Sequence, residues 1–203
     1  SYQDEAGKEI STTPLSGKTG ETVTVNPEIP AGWELVPGQE IPKTVTATAE
    51  GIPTVVIKIE HGITNVDHNN PVPDDAKTVT GEVIDGAHAS DLNQTITRTI
   101  NVTNPDGTKS TEVQTAKLYR DASYDNVTGE VTYEEWSTGS WEESSPAEIK
   151  GYTASEKVVP AVEVKNGQKD ETINITYTAN EQSGIISYQD EAGKEISTTP
   201  LSG

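Results

Sequence analysis

The chain has 203 residues and a formal charge of −19, and a field of that sign repels phosphate backbones and anionic lipid, which excludes nucleic-acid binding. It contains no Cys, Met or Phe, so neither disulfide staples nor thiol chemistry is available; no apolar run approaches the roughly 18 residues of a membrane span, and direct membrane insertion is not expected. Thr (28), Val (18) and Ile (16) make up nearly a third of the residues, while Leu, Ile, Val and Phe together number only 39, a composition that describes a Thr-rich β protein with thin cores.

In chain order, the first predicted element is a hairpin in SYQDEAGKEISTTPLSG, residues 1–17, turning at Ala6-Gly7. The GKTGETVTVNPEIPAG that follows is too rich in Gly, Pro and Thr for a good helix, so a loop or a single turn is expected there. VVIKIE places Val55, Ile57 and Ile59 on one face, opposite Lys58 and Glu60, the pattern of a half-buried strand. HGITNVDHNNPVPDDAK, residues 61–77, has two prolines, an Asn pair, an acidic pair and no periodicity, which marks a linker. SDLNQT offers Ser90 or Asp91 as the cap of one short helical turn. TITRTINVT gathers Ile96, Ile100 and Val102 on one face with Arg98 interrupting it, and INITYTA does the same with Ile173, Ile175, Tyr177 and Ala179.

The two halves share a template. Each runs from a hairpin turn (QDEAGKEI, TNPDGTKST) through Gly-aromatic (Gly32-Trp33, Gly151-Tyr152) and a later Pro to a final alternating strand, with LYRDASYDNVTGEVTYEEW inserted as an extra hairpin in the second half. Matching positions in the template make Trp33 and Tyr152 expected core residues. The last seventeen residues, 187–203, repeat residues 1–17 without a change, as a segment of a tandem array does. The expected organisation is a first domain at 1–65, a linker at 66–77, a larger second domain at 78–184, and the start of the next tandem repeat at 185–203. The expected class is mostly β, or α+β, with two antiparallel-sheet domains in tandem giving an elongated molecule. The tail is expected to leave the second domain as an ordered extension and to dock on, or exchange with, a neighbouring chain.

YQDEAGKEI, LSGKTGETV and GWELVPG resemble the mucin-binding (MucBP-type) modules of lactobacillus adhesins, and DLNQTITRTI, YDNVTGEVTYEEW, GYTASEKVVPAVEV and INITYTA resemble the longer second module of the Mub repeats. The resemblance covers essentially the whole repeat. It implies two β-grasp (ubiquitin-like) domains, without a good candidate for the β-grasp helix in the first. It also implies an extracellular protein attached to the bacterial cell wall, adhesion to host mucin glycans, and contact with host immunoglobulins as a further implied activity. The repeat itself is expected to be monomeric within its array.

Two constellations stand out. Trp136 and Trp141 bracket STGS, with Tyr133 and Tyr124 nearby; they read either as a glycan platform, since sugars stack on aromatic faces, or as core in a chain short of large apolar residues. Pairing TYEEW with WEES would set Glu135 against Glu142 and Glu134 against Glu143, so the two strands are not expected to pair with each other. Asp121, Asp125, Asn126 and Glu130 gather at the turn of the inserted hairpin, as calcium ligands or as an Asx-rich turn. Asp67, Asp74 and Asp75 form a second acidic set in the linker. No cofactor is required by any motif. His61, His68 and His88 lie in or near loops with no nucleophile turn and no Gly-rich phosphate loop, so no catalysis is expected. Three functions compete: a multivalent mucin-binding adhesin repeat, a passive spacer, and an immunoglobulin-binding module.

Overall fold

The computed structural model describes residues 1–203. In chain order the elements are β1 (Tyr2–Gln3), β2 (Glu9–Ser11), β3 (Thr22–Thr24), β4 (Trp33–Leu35), β5 (Thr44–Thr46), β6 (Ile57–His61), β7 (Ile63–Val66), α1 (Ala89–Leu92), β8 (Asn93–Thr103) and β9 (Lys109–Tyr119). They continue with β10 (Ala122–Asp125), β11 (Val131–Tyr133), β12 (Gly139–Trp141), β13 (Tyr152–Ala154), β14 (Val162–Val164), β15 (Glu171–Ala179), β16 (Ser183–Gln189) and β17 (Glu195–Ser202). The protein is almost entirely β. Its contacts divide it into two compact units, residues 1–94 with 119–136, and residues 95–118 with 137–203.

Each unit contains one four-stranded sheet of the same topology. In the first unit the order is β2-β1-β6-β4, and in the second it is β9-β8-β15-β13. In both, a hairpin opens the sheet, the last strand runs parallel to the hairpin's first strand, and the strand carrying the Gly-aromatic pair joins the outer side of that last strand. This is the β-grasp pairing order, and it bears out the shared template. The sheets are mixed rather than purely antiparallel, because β1 pairs with β6 and β8 with β15 in parallel. The segment after the first hairpin has no helix, and it supplies β3, which pairs with β5.

The alternating strands bury the predicted faces. Ile57 and Ile59 are buried with Tyr2 against Ile10, Ile29, Trp33, Ile41 and Val55. Ile100 and Ile175 are buried with Val159 against Val102, Ala154 and Ile173. Tyr152 departs from the expected core role, being 40% exposed. A third, small core of Val66, Ile84, Ala87, Leu92 and Ala122 fills the rest of the first unit. Over it lies the sheet β11-β10-β7. The inserted hairpin therefore packs with residues 62–94. The short helix α1 is capped from His88, whose N–H donates to the Asp91 carboxylate at 3.1 Å, so Asp91 closes the turn from inside.

Arg98, which interrupts an apolar face in the sequence, is only 1% exposed. Its guanidinium donates to Gln114 Oε1 (2.7 Å) and to the carbonyls of Pro160 (2.9 Å) and Glu142 (2.9 Å), and lies 5.3 Å from the centre of the Trp141 ring. A buried cation is tolerated only when its donors are met, and a planar fork meets three acceptors at once. Trp141 Nε1 in turn donates to the Ile96 carbonyl at 3.0 Å. Trp141→Ala is expected to lower the unfolding free energy by about 3 to 5 kcal/mol. In a double-mutant cycle with Arg98→Ala the two losses should fall short of additivity by roughly 0.5 to 3 kcal/mol, read from urea unfolding; strict additivity would show that the ring and the guanidinium do not interact.

Candidate functional site

The β10–β11 hairpin is held on one side by β7, in register from Ala122↔Val66 to Asp125↔Ile63. Its base carries an aromatic and cationic stack. Arg120, the residue after β9, places its guanidinium carbon 3.5 Å from the Tyr133 ring centre and 4.5 Å from that of Trp136. Its Nε donates to the Asp91 carbonyl at 2.9 Å, while Tyr133 Oη donates to the Gly86 carbonyl at 2.6 Å. Burial, reinforced by the Asp91 charge, pushes the Tyr133 phenol above its ordinary value against the pull of Arg120. Trp136 and Arg120 are half-buried and Tyr133 is exposed. The stack thus combines two aromatic faces with a planar cation, a set suited to a sugar ring bearing an acidic group.

Of the four aromatics read from sequence, only Tyr133 and Trp136 meet around this cation. Tyr124 packs half-buried against the small core of the first unit. Trp141 lies in the second unit at 1% exposure and has no face to offer a ligand; its large ring is core material beside Arg98. β11 pairs with β10 and β12 with β14, so the two Glu-rich strands do not pair with each other. Arg120 was missed by sequence reasoning, although one signal was present: the chain has only two arginines, and each stacks on a tryptophan.

The four oxygen donors at the inserted hairpin do not converge. Asp125 Oδ1 accepts the amides of Val127 and Thr128, and its Oδ2 lies 2.6 Å from His61 Nδ1. Asn126 Oδ1 accepts the Thr64 hydroxyl at 2.6 Å, and Glu130 is exposed. Asp121 faces His68, accepting its amide (2.9 Å) and meeting its Nδ1 (2.8 Å). With Asp67 these two make a three-residue cluster whose ligand atoms lie within 4.8 Å of one another. His68 also stacks on Tyr119 at 3.9 Å. Of the acidic set in the linker, Asp74 approaches His88 (3.7 Å) and Asp67 approaches His68 (3.6 Å).

These pairs set a pH window for the first unit. His88 is raised above its ordinary value, chiefly by its 2.8 Å contact with the Val72 carbonyl and then by Asp74, Asp91 and Asp85, against the lowering effect of burial. Its contribution is complete below the unfolded value of about 6.5 and is lost as pH rises through the raised folded value. Asp121 is lowered by the His68 side chain and amide. Burial pushes the Asp125 carboxyl up, but the His61 contact and the amides of Thr128 and Val127 outweigh it and leave it lowered. Both contributions are present above about 3.9 and are lost as pH falls through the lowered folded values. Melting temperatures of the full chain are expected to peak between these limits, and His88→Gln should flatten the alkaline side of the profile while leaving the acid side as it is.

The family model of the MucBP domain matches residues 1–58 and that of the Muc B2-like domain matches residues 87–181, together about three quarters of the chain. Among solved structures, the mucin-binding domain of Spr1345 from Streptococcus pneumoniae is 32% identical, over 43% of this chain and 92% of that one, with a TM-score of 0.40. Mub-RV is 21% identical over 88% of this chain and 96% of its own, with a TM-score of 0.57, a likeness of fold. The type 2 repeat of the mucus binding protein MUB from Lactobacillus reuteri is 23% identical over 88% and 96%, with a TM-score of 0.41. No curated protein sequence matches the chain. With one family model on the first β-grasp sheet and the other spanning the second, the chain belongs to the MucBP family through its first domain and to the Muc B2-like family through its second.

Proposed function

We propose that this chain is a non-catalytic adhesin repeat, displayed outside a bacterial cell and anchored to the wall by other parts of its protein, that binds host mucin glycans and gains strength by number. Family membership supports the mucin-directed reading. The observation that carries the site is the Tyr133–Arg120–Trp136 stack. Mucin glycans bear carboxylate and sulfate groups, which a chain of −19 repels over most of its surface. A guanidinium fixed between two rings supplies a local positive charge and a bidentate fork for an acid group, while the indole covers the sugar face. No cofactor enters this reading.

One such contact is weak, and tandem copies convert later contacts into intramolecular ones. The test is solid-phase binding of the full chain to mucin, with and without enzymatic removal of the sugars. Trp136→Ala and Arg120→Lys are each expected to weaken binding about tenfold, on the scale of a lost stacking or bidentate contact, with Trp136→Ala leaving the melting temperature nearly unchanged. Tandem proteins of two and four repeats should bind about a hundredfold or more tighter than one. Absence of binding at every repeat number would identify a spacer, and binding that survives sugar removal would point to a protein partner such as immunoglobulin.

A further inference from the structure

The second unit holds a pocket that the Tyr133–Arg120–Trp136 stack does not use. Residues 145–158 form one loop, closed at its base where Ser144 and Val159 exchange both backbone hydrogen bonds (2.9 and 2.7 Å). Val159 is fully buried, so the core fixes this base. In the middle of the loop β13 is pinned to β15, in register from Tyr152↔Ala179 to Ala154↔Tyr177. The arm before β13 and the arm after it therefore approach the same end of the sheet. There they enclose a cavity of about 510 Å³, whose lining includes Lys150, Tyr152, Lys157 and Tyr177.

Strand geometry makes the pocket aromatic. Tyr152 and Tyr177 are diagonal neighbours on one face of the β13–β15 pair, and the residues directly opposite them are Ala179 and Ala154. Small side chains between two rings leave room for a ring-sized guest. Further along β15 this face buries Ile175; at Tyr177 it is half-buried, and at Tyr152 it is open to solvent. The Tyr177 hydroxyl donates to the Ala147 carbonyl, which holds its ring against the loop. The Tyr152 amide donates to the Ile149 carbonyl (3.0 Å) across a turn with Gly151 at a φ of +87°, which sets Lys150 at the tip. Lys157 comes from the returning arm. Glu148 is the one acid on the lining, and the ion pairs of the structure all involve histidine, so both ammonium groups are uncommitted. In a chain of −19, a pocket of net positive charge is a local attractor for an anion. The matching turn of the first unit has Ala31 at its tip, and its Trp33 packs edge-on to His61 at 4.4 Å. One template thus serves packing in the first unit and sets two cations beside open rings in the second.

We propose that this pocket binds a sugar through its sulfate ester, as a second glycan subsite of the chain. The two sites differ in the anion they fit. A planar guanidinium matches a planar carboxylate, whereas two separate point charges with rotatable donors meet a tetrahedral sulfate, whose free oxygens point in different directions. The tyrosine rings cover the face of the sugar that carries the ester. The subsite rests on the mucin-directed reading for the source of its sugar alone.

Galactose 6-sulfate, galacturonic acid and galactose share a ring and differ at one carbon, so NMR titration of each into the isotope-labelled full chain separates the chemistries. Galactose 6-sulfate is expected to shift the amides of residues 147–154 and Tyr177 saturably. It should bind about tenfold tighter than galactose, with galacturonic acid between the two. Lys150→Gln and Lys157→Gln should each weaken it about tenfold, and Tyr152→Ala about fivefold. All three side chains are exposed, so these variants should keep their melting temperatures. Trp136→Ala should leave the shifts unchanged. Failure of the full chain to bind mucin while galactose 6-sulfate still fills the pocket would count against the mucin-directed reading and leave the subsite standing. No shift at residues 147–154, an equal response to galactose, tighter binding of galacturonic acid, or indifference to both lysine substitutions would each overturn the proposal.

Discussion

The parallel pairing of the first strand of each sheet with its last is the contact on which the rest of the structure depends. In the first sheet it joins Tyr2 to Ile57 across nearly the whole domain, and in the second it joins residues 98–103 to 171–176. A parallel pair cannot be closed by a tight turn, so the intervening chain must be gathered first and its closure entropy met by what the pair buries. In the first sheet that burden falls on one ring: Tyr2 covers Ile57 and Ile59 and fixes the backbone at Glu28 through its hydroxyl. The Gly-aromatic strand then adds to the outer edge of the last strand, as β4 does on β6 and β13 on β15. A single hairpin thus supplies the strand on which each sheet closes.

With no Phe and only five Leu in 203 residues, the cores are completed by polar groups used as filler. Arg98 shows how. Its stem and planar head occupy a place an apolar side chain would fill elsewhere, and its charge is met by carbonyl dipoles, an amide oxygen and the Trp141 ring. The histidines play a related part in the first unit. His61 stands edge-on to Trp33 at 4.4 Å and against Asp125, and His68 lies between Tyr119 and Asp121. Each joins an aromatic ring to a carboxylate, which anchors acidic loops that would repel one another if left unpaired.

Strands and turns were legible in the sequence because their signals are local. Period-two alternation over Ile57 and Ile59, or over Ile173 and Ile175, names a buried face from a handful of residues, and the Gly-containing turns at Ala6-Gly7 and Asp106-Gly107 name the hairpins. The shared template was legible because both halves repeat those signals in one order. What was hidden is which strands meet across long gaps. β7 lies in a stretch dominated by turn formers, and its partner β10 is more than fifty residues on, so nothing local reveals that the inserted hairpin packs with residues 62–94. Trp136 and Trp141 are five positions apart and end in different units, one beside Arg120 and one beside Arg98. An arginine inside an apolar face reads as a break in periodicity, whereas its carbonyl acceptors come from residues 142 and 160, which no window around it contains.

The inserted hairpin also joins the candidate site to the first sheet within the first unit. Its turn docks at the end of β6: the Asn126 amide donates to the Gly62 carbonyl at 2.9 Å, and the Gly62 amide donates to the Gly32 carbonyl at 2.7 Å. Gly32 has a φ of +87°, and a Cβ there would lie 2.9 Å from the Asn126 carbonyl oxygen, so the close approach needs glycine twice over, for the conformation and for the space. The Gly-aromatic pair therefore does two jobs, with Trp33 serving the sheet and Gly32 admitting the hairpin turn. The same hairpin carries Tyr133 on its second strand. β10 and β11 thus connect the Tyr133–Arg120–Trp136 stack to this glycine joint and to the last strand of the first sheet, the strand paired in parallel with β1.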